Sequence, residues 1–421
     1  MSYKLNGLSP SAVVTPHSAE ELAEILRAAS AAGDAVVPWG YGTRQHLGNA
    51  PARYDIALDL TALDRVVEYS PDDLVITVEA GATLGSVQRV LAEHGQFLPW
   101  DPPCPDEASI GGLLATGASG PLRLAYGSPR DWVLGMRVAL GDGRLVKSGA
   151  RVVKNVAGYD THKLHLGAFG TLGVIVSASF KVAPQPVRHA SLLASFVEPR
   201  ALLTAVDQLR SAPLQPVALS LLNFTAEGQI AALHAFRSGQ PPHILLVAQF
   251  AGVADAVNRQ LRTAAKRCFE NGARCIDLSD GSDDAIWRAI SDFTAPAYDG
   301  SLLLRAGVRP SEIFTLTRSL EVSARDRGWH SARLVHSAIG LAFERIWLPD
   351  GTDATVLNQM LADLRSTLAA VGGYLVVEEA APAIAEEIDR WGPAPQSQHL
   401  SEQLRCSWDP AGILNPGRYL G

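Results

Sequence analysis

The stretches of this sequence best suited to hold a ligand are built from glycine, not from reactive side chains. The first is Ala108 to Gly127, ASIGGLLATGASGPLRLAYG, where Gly111-Gly112, Gly117 and Gly120 mix with Ala, Ser and Thr. The second is Lys154 to Ile175, KNVAGYDTHKLHLGAFGTLGVI. Small residues let main-chain N–H groups approach an anion or a flat ring closely. A Gly/Ala-rich packed helix or a flexible loop is the plainer alternative. A third stretch, Pro38-Trp39-Gly40-Tyr41-Gly42-Thr43, follows the strand-like run Ala35–Pro38. Its two glycines would let successive N–H groups converge on a phosphate, with a hydroxyl from Thr43. Arg44 would add charge there, or lie solvated. The loop lacks the third glycine and helix start of a dinucleotide fingerprint. It also lacks the Gly-Lys-Ser/Thr of a P-loop, and an isolated GxGT occurs in ordinary turns.

The elements that must position these stretches are legible in order. Ser18-Ala19-Glu20-Glu21 reads as a capping box, followed by Leu22, Ile25, Leu26 and Ala29 on one helical face and a stop at Gly33. Leu74–Glu79 reads as a strand and Thr83–Gly95 as a helix. Asp101-Pro102-Pro103 stiffens the approach to the first glycine stretch. Ala139–Val146 carries a hairpin signal with Asp-Gly in its turn. Thr171–Val182 alternates, with Val174, Val176, Ala178, Phe180 and Val182 on one face and Ile175, Ser177, Ser179 and Lys181 on the other. Pro184-Gln185-Pro186 breaks the pattern and marks a boundary. Beyond it, strand-like runs such as Val217–Leu222 and Ile244–Phe250 alternate with helical ones such as Val253–Phe269. That order predicts an α+β unit on an antiparallel sheet. No internal repeat is evident.

Bulk properties exclude several classes. A chain of 421 residues predicts two domains, and 47% apolar with 19% charged content describes a globular protein. Net charge of −7 with no Lys/Arg block argues against nucleic-acid binding. Cys104, Cys268, Cys275 and Cys406 show no CxxC spacing, which argues against a cluster or zinc ribbon and predicts reduced thiols in cytosol. The N-terminus lacks the apolar core of a signal peptide, and no run is long enough to span a bilayer.

As an ordered set, six motifs carry a resemblance: PWGYGT at 38–43, TVEAGATLGSVQRVLAEHGQFLP at 77–99, ASIGG at 108–112, KNVAGYD at 154–160, GTLGVI at 170–175 and WDPAGILNPGR at 408–418. The sequence resembles the vanillyl-alcohol oxidase superfamily with its PCMH-type FAD-binding domain. Within it, the chain is most similar to the FAD-binding E subunits of bacterial glycolate oxidases. The resemblance implies an α+β fold: a PCMH-type domain of two α+β subdomains over 1–184, a cap domain on an antiparallel sheet over 185–390, and a C-terminal segment, 391–421, returning to the flavin. It implies non-covalent FAD, because the position that carries a histidyl link in some relatives corresponds to Gly42 or Thr43, leaving His46 an ordinary loop histidine. The diphosphate would lie against Pro38, Trp39, Gly40, Tyr41, Gly42, Thr43 and Arg44. Pro102, Ser109, Ile110, Gly112, Thr116, Gly117 and Gly120 would meet the ribityl chain and ring, with core packing the alternative for Ile110. Gly173, Val174 and Ile175 would meet the adenine, and Asn415 the flavin edge. Lys154 would stabilise the reduced ring, or pair with a surface carboxylate.

Catalytic relatives place metal-ligating histidines and a glutamate in GDGNxH-like and GEHG-like cap segments. Here the comparable stretches are LVHSAIG at 334–340 and VVEEAA at 376–381, which keep one histidine and acids only. No metal is therefore expected, and His336 reads equally as a core residue. The resemblance implies three readings. The chain is an FAD-carrying relay or assembly subunit in oxidation of glycolate to glyoxylate, beside a catalytic flavoprotein and an iron–sulfur subunit. Alternatively it is a self-sufficient 2-hydroxy-acid dehydrogenase, with His336, Arg305 or Arg345 meeting the carboxylate, or a structural subunit with idle flavin. The expected location is cytoplasmic, with membrane association only through partners.

Overall fold

Ser18 starts the first helix, Ala19–Ala32, by accepting the Glu21 N–H on its hydroxyl, and Gly33 ends it in the left-handed region. The Glu21 carboxylate reaches past the cap to the His17 N–H at 2.8 Å. Leu22 and Leu26 are wholly buried, each contributing roughly 1.5–3 kcal/mol of transfer free energy. The computed structural model describes residues 2–150, 158–211, 213–237, 243–280, 283–297, 299–382 and 384–419. These divide into two compact units, one of 1–119, 127–185 and 393–421, the other of 120–126 and 186–392.

The first unit holds two sheets of different kind. Ala12–Val14, Ile56–Asp59 and Val36–Trp39 form a parallel three-stranded sheet with Ile56–Asp59 central. Val66–Ser70, Val75–Glu79, Val174–Lys181, Val133–Ala139 and Leu145–Gly149 form an antiparallel five-stranded sheet in that spatial order. The expected alternation of Val174–Lys181 is interrupted. Opposite Arg137 and Val138 the register skips Val176, a bulge. Val174 and Val176 consequently join the core around the first helix, while Ile175 joins Ala178, Phe180 and Val182 in the other core.

The second unit is one antiparallel sheet of eight strands. Its order is Cys275–Asp280, Arg188–Phe196, Ile244–Gly252, Ala218–Asn223, His330–His336, Leu341–Trp347, Leu302–Gly307, Tyr374–Glu379. Each half holds four strands with a long helix after the first and after the third, and the first half inserts short helices between its second and third strands; in each the spatial order is fourth, first, third, second. The halves are thus two βαββαβ units joined through their second strands at Leu221–Val335 and Leu222–Leu334. The repeat is one of topology, which a reading for repeats in the sequence does not address. No helix among the described residues is long and apolar enough to cross a membrane.

Candidate functional site

The C-terminal tail builds one wall of a cleft in the first unit. Asp409, nearly fully buried, accepts the Ile413 and Leu414 N–H groups on its two oxygens at 3.1 and 2.8 Å. The tail so shaped pairs with Val36–Trp39: Val36 N–H donates to the Ile413 carbonyl, and Asn415 N–H to the Val36 carbonyl. The buried Arg418 guanidinium donates to the carbonyls of Asn49 and Gln45, both at 3.0 Å. Gln45 in turn donates to the Pro38 carbonyl at 2.8 Å. The loop after Val36–Trp39 is therefore held by tail residues far away in sequence.

A cleft enclosing about 780 Å³, solvent at its mouth included, lies along this loop. Pro38, Trp39, Gly40, Tyr41, Gly42, Thr43 and Arg44 line it, with Ser109, Gly112, Thr116, Gly173, Val174, Ile175 and Asn415. Ser109 caps the short helix Ile110–Thr116, its hydroxyl accepting the Gly112 N–H at 3.3 Å. Of the two plainer alternatives, a packed helix or a flexible loop, the structure has a short ordered helix at 110–116. Gly40 approaches it so closely that a Cβ there would overlap the Ser109 hydroxyl. A Cβ on Gly112 would meet only Ser109 Oγ, at 3.1 Å, with nothing else within 4 Å.

Four expected contact residues lie apart from this lining. Ile110 is wholly buried in the core of the five-stranded sheet, because its position on the helical turn faces that sheet. Pro102 is buried, and Gly117 ends the helix in the left-handed region at φ 63°. Gly120 opens the 120–126 segment that groups with the other unit. Lys154 lies outside the described residues. His46 does not line the cleft. His165, Phe169 and Arg418 also line it; they lie inside stretches singled out above but were not themselves named as contacts. The His165 ring stacks on Trp408, centroids 5.1 Å apart. Burial, aided by the neighbouring His162, pushes its pKa down to about 4, so the imidazole is neutral at physiological pH. Only the return of the tail, which brings Trp408, exposes its role.

In the second unit, cross-strand register sets Arg305, His336, Phe343 and Arg345 on one face of the sheet. His336 is buried, its Nδ1 3.0 Å from the Ser220 hydroxyl. Burial first, then the charge of Arg123, pushes its pKa down to about 4. Arg345 donates to Glu379 and Ser301, each at 2.9 Å, and to the carbonyls of Phe293 and Ala295. Arg305 is held by Glu378 at 2.7 Å and lies over the Tyr374 ring.

The family model for the FAD binding domain matches residues 10–149. D-2-hydroxyglutarate dehydrogenase of Xanthomonas citri pv. viticola is 32% identical, the alignment covering 97% of this chain and 89% of that one. The chain belongs to the FAD-dependent 2-hydroxy-acid dehydrogenase family. Within that family, glycolate oxidase subunit GlcD of Bacillus subtilis is 25% identical over 97% of this chain and 88% of its own. Glycolate oxidase subunit GlcE of Escherichia coli is 40% identical over 164 residues, 39% of this chain and 46% of that one. The solved structure of alkyldihydroxyacetonephosphate synthase shares the fold, with TM-score 0.72 at 17% identity, covering 97% of this chain and 77% of that one.

As a member of the FAD-dependent 2-hydroxy-acid dehydrogenase family, the chain is an FAD-linked oxidoreductase, and the cleft fits its cofactor. Its wall leaves main chain open at Gly112, where an added Cβ would meet only Ser109 Oγ. Asn415, at this cleft, has a buried Oδ1 without a donor, a group that a bound ligand N–H would satisfy. Bound there, FAD would supply two-electron redox chemistry, and the residues placed to hold it would be the 38–44 loop, Gly112 and Asn415 of the tail.

Proposed function

We propose that the chain is the FAD-carrying E-type subunit of a glycolate-oxidising complex, passing electrons between a catalytic flavoprotein and an iron–sulfur partner. FAD lies in the cleft, its diphosphate against the 38–44 loop and its redox end toward Asn415. The observation that carries this reading is the engagement of the cap residues. Arg345 spends its donors on Glu379, Ser301 and two carbonyls. His336 is buried against Ser220. Among the described residues, the three-ligand grouping of His, Cys, Asp or Glu lies elsewhere, at His189, Asp283 and Asp284. The local likeness to a subunit named GlcE supports the same reading.

The full-length likeness to a D-2-hydroxyglutarate dehydrogenase favours the self-sufficient reading instead. Anaerobic titration of the isolated, flavin-loaded chain with glycolate and with D-2-hydroxyglutarate separates the two. Neither substrate should bleach the flavin until a catalytic flavoprotein partner is added. Bleaching of the chain alone, with dye turnover, selects the self-sufficient enzyme. A colourless chain that still assembles with partners selects the flavin-idle subunit.

A further inference from the structure

His189, on the outer part of the strand Arg188–Phe196, faces two carboxylates at the start of the helix Asp284–Asp292. His189 Nε2 lies 3.3 Å from Asp283 Oδ1 and 3.2 Å from Asp284 Oδ1. One oxygen from each carboxylate and one imidazole nitrogen fall within 4.8 Å of one another. Asp283 is wholly buried, and its Oδ2 is satisfied by the Ser191 hydroxyl and, at 3.3 Å, by Gln249 Nε2. Trp287 fixes Ser191 in turn, its indole N–H donating to that hydroxyl at 2.8 Å. Asp283 stands at the N-cap of the helix, yet its side chain makes no capping hydrogen bond.

The unsatisfied atoms point to an occupant. Asp283 Oδ1 and His189 Nε2 are both buried and neither makes a hydrogen bond, despite their separation of 3.3 Å. An ion pair alone would turn the imidazole N–H onto one carboxylate, because a single N–H serves one acceptor well. Instead the nitrogen sits nearly equidistant from two. In tetrahedral coordination with bonds of about 2.0–2.1 Å, adjacent ligand atoms stand about 3.3–3.4 Å apart. The two distances match that edge.

We propose that His189, Asp283 and Asp284 bind a divalent cation of the Zn²⁺ or Mn²⁺ class, tying the first strand of this unit to its helix. One neutral imidazole with two carboxylates is a donor set suited to those ions. Asp283 is the anchored ligand, held by Ser191 and Gln249 as supporting partners commonly hold ligating carboxylates. Asp284, whose side chain is 84% exposed, is the ligand on the solvent side, and solvent completes the coordination.

The test uses the full chain, stripped with a chelator and titrated calorimetrically with ZnCl₂ and, separately, MnCl₂. One ion per chain is expected for at least one metal. His189→Ala and Asp284→Asn should each weaken binding more than about 100-fold, beyond the range typical of outer-shell partners. Asp284 is exposed, so its variant tests the ligand without risk to folding. His336→Ala should bind as the wild type does. Absence of binding in the wild type would leave a plain ion pair and overturn the proposal. Undiminished binding by Asp284→Asn and His189→Ala, or loss in His336→Ala alone, would overturn it equally.

Discussion

The side-chain amide of Asn415 donates to the main-chain carbonyl of Phe169 at 2.6 Å, across 246 positions of sequence. Both residues sit in the left-handed region, at φ 45° and 55°. Both line the cleft, and Tyr419 of the same tail stacks on the Phe169 ring at 5.3 Å. The tail is thus fastened to the second glycine stretch at the cleft itself. Asn tolerates this backbone better than most side chains.

Two substitutions separate the hydrogen bond from the backbone. Asn415→Gly relieves the backbone conformation and loses the amide, at a cost of about 1 kcal/mol. Asn415→Ala loses the amide and adds left-handed strain of roughly 1–2 kcal/mol. Thermal unfolding should rank wild type above Gly above Ala, and both variants should release FAD more readily on dilution. Wild-type flavin retention in both would show that the tail does not close the cleft.

Gly112→Leu should abolish flavin retention, because its side chain would extend from a position where only Ser109 Oγ stands nearby. His336→Ala should keep the flavin. The flavin absorbance of the purified variants reads this directly. Equal loss in both, or loss in neither, would count against the cleft as the cofactor site.

Arg345→Met should act on stability. Arg345 and Glu379 are both buried and bonded at 2.9 Å; without Arg345, Glu379 keeps the Ala297 N–H but loses its direct ion-pair partner, at a cost approaching about 3 kcal/mol. The denaturation midpoint should fall sharply in the single variant and recover in part when Glu379→Gln is added. A variant of wild-type stability that loses only activity would instead assign Arg345 to substrate.

Folded His336 resists protonation down to about 4, while the unfolded imidazole accepts a proton near its ordinary 6.5. Its stabilisation is therefore complete above pH 6.5 and is lost as pH falls toward 4, by on the order of 3 kcal/mol. His165 obeys the same sign over the same window. Urea midpoints measured from pH 7 to 4 should decline in the wild type and flatten in His336→Gln. An unchanged slope in that variant would remove His336 as a source of the acid sensitivity.

Local chemistry made much of this chain legible. The Ser18 cap and Gly33 stop fixed the first helix to its ends, since capping needs only neighbours. Asp142-Gly143 marked the turn between Val133–Ala139 and Leu145–Gly149, and Gly143 takes φ 80° there. The α+β class followed from strand and helix periodicity. Less visible was the face that Ile175 presents, because a bulge depends on the partner strand and not on the alternation itself.

By itself, the sequence determined where small residues leave backbone open, where helices begin and stop, and which runs are strands; each depends on residues within a few positions of one another. Only the tertiary structure decided that the tail completes the cleft, that His165 is stacked and neutral, that Arg345 is engaged by Glu379, and that His189 meets Asp283 and Asp284. Those are contacts between residues far apart in the chain. Their energies come from burial and from charges brought together by packing, quantities that have no local signature before the fold forms.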